Sequence, residues 1–130
     1  MMSIAQAVNL TIKAAELSQG GEIFVLKMPS IKLPDLAKMY LNKYHQNNKV
    51  KIKFTNSRPG EKVHEDLLTP VEDFGWMFEN KEMFILFPKP NLITDIRPVI
   101  ANYPGFKRAR LLRGYSSANK INAKQIYEII

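Results

Sequence analysis

The sequence contains no cysteine, which excludes a disulfide framework and any thiolate metal site. That absence agrees with a reducing cytosol, so the expected location is cytoplasmic. Histidine is scarce: the two present, His45 and His64, form no H-x-x-x-H spacing, so no metal centre is expected. No run approaches the roughly 18 apolar residues of a membrane-crossing helix. The N-terminus has no charged flank followed by an apolar stretch, as a secretion signal would. The six glycines (Gly20, Gly21, Gly60, Gly75, Gly105 and Gly114) make no G-x-G-x-x-G or G-x-x-G-x-x-G spacing. Repeats and low-complexity tracts are absent too.

What remains is 130 residues, 45% of them hydrophobic, enough for one domain with a core and short for two. The net charge of +7 favours an anionic partner. Basic residues thicken at Lys43, Lys49, Lys51, Lys53, Arg58 and Lys62, then at Arg97, Lys107, Arg108, Arg110 and Arg113. Scattered lysines of this kind ordinarily make a solvated face. No recognition helix, stacking-strand motif or zinc finger accompanies them, so nucleic acid is an unlikely partner. A phosphorylated metabolite needs only one or two of the arginines.

Local patterns predict an α/β (α+β) domain with a small mixed sheet and flanking helices, all 130 residues forming one unit. Ser3-Ile4-Ala5-Gln6 reads as a capping box opening a helix with Ile4, Ala7, Val8, Thr11, Ala15 and Leu17 at mostly helical spacing. Gly20-Gly21 stop it. Glu22 to Lys27 reads as a buried strand. Pro34 suits the first position of a second helix, with Leu33, Leu36, Ala37, Tyr40, Leu41 and Tyr44 as its inward stripe and Asn47-Asn48 at its end. Val50 to Thr55 alternates apolar residues with lysine, the pattern of a half-buried strand.

Val63 to Leu68 is expected to form a helical turn or two, ended by Thr69-Pro70. Glu72 to Glu82 has no clear pattern, and Met83 to Phe87 reads as a strand. Loops with one helix are expected from Asn91 to Ala118. Asn122 can cap a closing helix over Ala123 to Ile130. That helix reaches the last residue without a stop signal, which reads as a chain that ends early. Phe74, Trp76, Met77 and Phe78 would be core, or an aromatic patch exposed for a partner.

One turn stands out. Arg58-Pro59-Gly60-Glu61 has proline and glycine where a type II turn needs them: proline fixes a negative φ, and glycine accepts the positive φ of the next position. Such a turn sets its first and fourth Cα atoms within about 7 Å. Arg58, a planar donor fork, then emerges beside Glu61, a pure acceptor. That combination suits a ligand with phosphate next to vicinal hydroxyls, such as a nucleoside diphosphate. The bland alternative is a surface ion pair, which would contribute at most about 1 kcal/mol. His64 has no identifiable partner and reads as a surface or packed residue.

Arg58-Pro59-Gly60-Glu61-Lys62-Val63-His64-Glu65-Asp66-Leu67-Leu68 resembles the R-P-G-E-K-hydrophobic-H-E-x-L signature of polysaccharide-biosynthesis proteins. These are the UDP-N-acetylglucosamine 4,6-dehydratases and epimerases of the extended short-chain dehydrogenase/reductase superfamily. Met2-Ser3-Ile4, Gly21-Glu22-Ile23-Phe24-Val25, Asp35-Leu36-Ala37 and Tyr115-Ser116-Ser117-Ala118-Asn119 resemble flanking parts of the same C-terminal region. The resemblance implies that Arg58 grips the diphosphate of a UDP-sugar and that Glu61 accepts from the uridine ribose hydroxyls. It assigns no contact to Lys62, His64 or Glu65. Tyr115, Ser117 and Asn119 look more like loop-anchoring hydrogen bonders than ligands.

The resemblance also implies an N-terminal Rossmann domain holding NADP, with a catalytic tyrosine and lysine. Neither the glycine fingerprint nor a catalytic pair is read here, since Tyr40 has its lysine, Lys43, one residue too early. The chain therefore reads as a separated substrate-binding domain, inactive alone, with no catalytic residues of its own. A Rossmann-domain partner chain is expected, as is self-association covering exposed apolar surface. The competing reading is a non-enzymatic protein-interaction domain without nucleotide affinity.

Overall fold

A computed structural model describes residues 1–46, 50–68, 74–88, 95–109 and 115–118. Its first helix, α1 (Ile4–Leu17), begins as the sequence dictates: Gln6 N–H donates to Ser3 Oγ at 3.2 Å, and Ser3 N–H donates to Gln6 Oε1 at 2.9 Å. Beyond its end, Gly20 and Gly21 take φ of 105° and 84°, a region closed to most side chains. They reverse the chain into β1 (Ile23–Leu26), and α2 (Leu33–Tyr44) comes next with a proline in its first turn.

The remaining strands are β2 (Asp66–Leu68), β3 (Phe74–Glu79), β4 (Met83–Pro88), β5 (Lys107–Arg108) and β6 (Tyr115–Ser116), with a one-turn helix α3 (Arg97–Ile100) between β4 and β5. Four strands form a sheet in the order β1-β4-β3-β5, and β2 pairs with β6 separately. Every pairing is antiparallel among the described strands, where the sequence suggested a mixed sheet. One of these pairings is a hairpin. Asn80 Oδ1 accepts from the amides of Glu82 and Met83, both at 2.8 Å, and folds β3 back onto β4.

β4 is the central element, and Met83 to Phe87 are all buried. Their alternation serves two cores. Ile85 and Phe87 join Phe78, Ile96 and Tyr103 on one face, with Leu17 of α1 and Phe24 packed against them. Phe84 and Leu86 join Leu68 on the other, beside Val25, Met77 and Tyr115. A strand covered on both faces explains an unbroken apolar run in place of alternation. Phe78 is core and Trp76 packs against it, so these two do not form an exposed aromatic patch.

Three sequence expectations are corrected. Val50 to Thr55 forms no strand and pairs with no described strand. Asp66–Leu68 is a strand, because the distant Tyr115–Ser116 supplies its hydrogen-bond partner and outweighs local helix preference. The apolar stripe of α2 does not enter either core: no residue of α2 is buried. It lines an open groove with Val50 and Ile52 instead. The expected features at Asn47-Asn48, Thr69-Pro70, Asn119 and Asn122 to Ile130 lie outside the described residues.

Candidate functional site

The turn forms as its residues require. Gly60 has φ of 88°, and Glu61 N–H donates to Arg58 C=O at 3.0 Å, closing the reversal. One carboxylate oxygen of Glu61 accepts from Arg58's own backbone amide at 2.8 Å. The other stands 4.0 Å from Arg58 Nε, with the two side chains 88% and 54% exposed. At that distance and exposure the ion pair is loose and stabilises little. The backbone bond fixes the carboxylate, and the guanidinium fork points into solvent with its donors available for a bidentate acceptor. The structure therefore brings Arg58 and Glu61 together, outside the core. Neither residue lines the apolar groove of α2.

The segment just C-terminal to the turn holds it in place. Glu65 N–H donates to Ser117 Oγ and Ser117 N–H returns to Glu65 C=O, both at 2.9 Å. Leu68 then enters the second core. Next to Ser117, Tyr115 Oη donates to Met28 C=O at 2.8 Å and accepts from Met28 N–H at 2.9 Å. Its ring lies 5.2 Å from that of Phe84. Tyr115 thus ties the end of β1 to the β2–β6 pair, which carries the turn. Tyr115 and Ser117 are the loop anchors the sequence suggested. Their partners Met28 and Glu65 left no signal, since each contributes backbone atoms. His64 is exposed on a bend and Val63 beside it is also exposed, so no helix forms there.

A second polar cluster lies at the α1–β1 turn. Burial raises the Glu22 carboxyl, but the amides of Glu22, Gln19 and Gly20 and the Ser18 hydroxyl outweigh it and hold the group below the usual range. Burial, then the nearby Glu22 charge, pushes the Tyr103 phenol up. These groups secure the end of α1. Among the described residues no three His, Asp or Glu side chains gather as a metal site would need.

Among the described residues the NADP implied by the resemblance finds no cradle. A dinucleotide fingerprint leads from a strand into a helix, whereas Gly20 and Gly21 lead from α1 into β1. The chain does hold one Y-x-x-x-K spacing, Tyr103 to Lys107, which corrects the expectation that it has none. Tyr103 is 1% exposed in the core and Lys107 lies in β5, so they share no helical face and no accessible site. The described residues do not fit the cofactor.

A sequence profile of the family described as "Polysaccharide biosynthesis protein" matches residues 1–90. An "uncharacterized membrane protein" of Methanocaldococcus jannaschii is 40% identical over 93 residues, covering 68% of this chain and 28% of that protein. No helix among the described residues is long and apolar enough to cross a membrane. A UDP-glucose 4-epimerase of Rickettsia bellii is 30% identical over 132 aligned positions, covering 100% of this chain and 37% of the epimerase. The solved X-ray structure of Pen from Bacillus thuringiensis superposes with a TM-score of 0.73 at 36% identity, over 100% of this chain and 37% of that one. The chain thus spans roughly a third of the length of these three proteins. It belongs to the polysaccharide biosynthesis protein family and corresponds to the C-terminal region of its extended short-chain dehydrogenase/reductase members.

Proposed function

We propose that this chain binds the nucleoside diphosphate portion of a UDP-amino-sugar at the Arg58–Glu61 turn. It would serve as the substrate-binding part of a 4,6-dehydratase or epimerase whose Rossmann part holds the NADP. The observation that carries this reading is the turn itself. Its carboxylate is fixed by backbone, and its guanidinium is exposed with only a loose intramolecular partner. A fork so placed suits phosphate oxygens, and the adjacent acceptor suits two ribose hydroxyls. The epimerase relative names UDP-glucose, which agrees with a uridine nucleotide. By this reading the hydride transfer takes place on the Rossmann part, and the described residues contribute substrate binding.

Calorimetric titration with UDP tests the assignment. Arg58→Ala should lower the affinity by about tenfold to a hundredfold, the effect of losing charge-assisted hydrogen bonds of about 1.5–3 kcal/mol. Glu61→Gln should weaken UDP more than inorganic pyrophosphate, which has no ribose. Equal heats for all three proteins would remove the assignment.

A further inference from the structure

We propose that Lys62 is the second cation of the nucleotide turn, holding the phosphate that Arg58 leaves free, so that the turn selects a diphosphate over a monophosphate. This role rests on the nucleotide reading of the turn and adds the residue that sets how many phosphates it takes.

Charge is the reason. Arg58 and Glu61 carry one charge of each sign, and the Glu61 carboxylate is held beside the turn by Arg58 N–H at 2.8 Å. Together the two side chains are neutral. A nucleoside diphosphate, ionised on both phosphates, gains orientation from them but no net attraction. The guanidinium fork matches the oxygens of one phosphate. The other phosphate then has a carboxylate nearby and no cation of its own.

Lys62 is placed to supply that cation. A turn brings its first and fourth Cα atoms within about 7 Å, and the next Cα lies about 3.8 Å further on. The Cα atoms of Arg58 and Lys62 are therefore within about 11 Å, a gap that two long side chains bridge to adjacent phosphates. Lys62 is exposed, and among the described residues it makes no hydrogen bond or ion pair. Other lysines are engaged: Lys13 with Glu82 at 2.8 Å and Lys27 with Glu79 at 2.6 Å. The next acids along the chain, Glu65 and Asp66, come after the bends at Val63 and His64, where Glu65 N–H is tied to Ser117 Oγ. An ammonium also suits the second position, because it is a mobile point charge and the fork of Arg58 already fixes the orientation.

Calorimetric titration of the full chain with UMP and UDP tests this, at about 0.15 M salt to screen attraction beyond about 8 Å. The wild-type chain should prefer UDP. Lys62→Gln should lower the UDP affinity about tenfold, the effect of losing one charge-assisted hydrogen bond, and change that for UMP by less than about twofold. Lys62→Arg should restore the preference. Lys53→Gln removes an exposed cation on the other side of the turn and should leave both affinities within about twofold. Lys53 and Lys62 are both exposed, so circular dichroism of the variants should be unchanged. An equal loss on UMP and UDP in Lys62→Gln, or a loss as large in Lys53→Gln, would overturn the proposal, because the lysine would then act through general attraction only. A wild-type chain that binds UDP no better than Lys62→Gln does would overturn this role alone. A wild-type chain that binds neither nucleotide would overturn the reading of the turn together with it.

Discussion

Replacing Tyr115 by phenylalanine removes one oxygen and two hydrogen bonds while keeping the ring that packs against Phe84. Both bonds go to the backbone of Met28, which is half-buried, so water replaces them only in part. A hydrogen bond contributes about 0.5–1.5 kcal/mol net, and more when its former partner is left unsatisfied. The two together set the expected loss near about 2 kcal/mol. For a domain of this size that corresponds to a fall in Tm of about 7 °C. Urea titration of both proteins measures it, with unchanged slope showing that the unfolded state is unaffected.

Location is the sharper part of that expectation. Tyr115 joins the end of β1 to the pair β2–β6, so hydrogen exchange should accelerate at Met28 and at Asp66–Leu68. The central strand Met83–Pro88 should keep its protection at matched stability. A loss below about 0.5 kcal/mol would refute the role of the anchor, since even one net hydrogen bond is worth that much. Uniform acceleration throughout the sheet would refute its location.

The same geometry sets other outcomes. Ile85→Ala empties a fully buried position in the first core and should cost about 3–4 kcal/mol in urea titration. Glu22 is more acidic folded than unfolded, so its contribution is complete above the ordinary carboxylate range and fades as pH falls through the lowered folded value. Glu22→Gln should therefore flatten the acid limb of a stability–pH profile and leave the alkaline limb in place. Gly60→Ala meets open space but a positive φ, so it should cost about 1 kcal/mol, lower Tm by about 3 °C and weaken UDP binding severalfold. UDP affinity should fall gently with added salt. A steep decline would signal a polyanion contacting many of the lysines.

Where local chemistry decides the conformation, the sequence was readable. The Ser3–Gln6 box, Pro34, the Arg58–Glu61 turn and the apolar run of β4 each declare themselves within a few residues. Where a distant partner decides, it was not. Val63 to Leu68 carries good helix formers, and only Tyr115 and Ser116, some fifty positions away, make Asp66–Leu68 a strand. β3 gave little warning because the Asn80 hairpin and its pairing with β4 define it more than its own composition. Val50 to Phe54 is the reverse case: its alternation is clear, yet no described strand takes it up. The candidate site itself came from the turn alone, and its anchors at Met28 and Glu65 are backbone atoms that no residue type betrays.

The Arg58 turn as a nucleotide-binding element is the central claim, and amide-resolved NMR titration with UDP examines it most directly. Shifts should centre on Arg58, Gly60 and Glu61, saturate with UDP, and vanish in Arg58→Ala. Saturable shifts that spare these residues, or that survive the substitution, would contradict it.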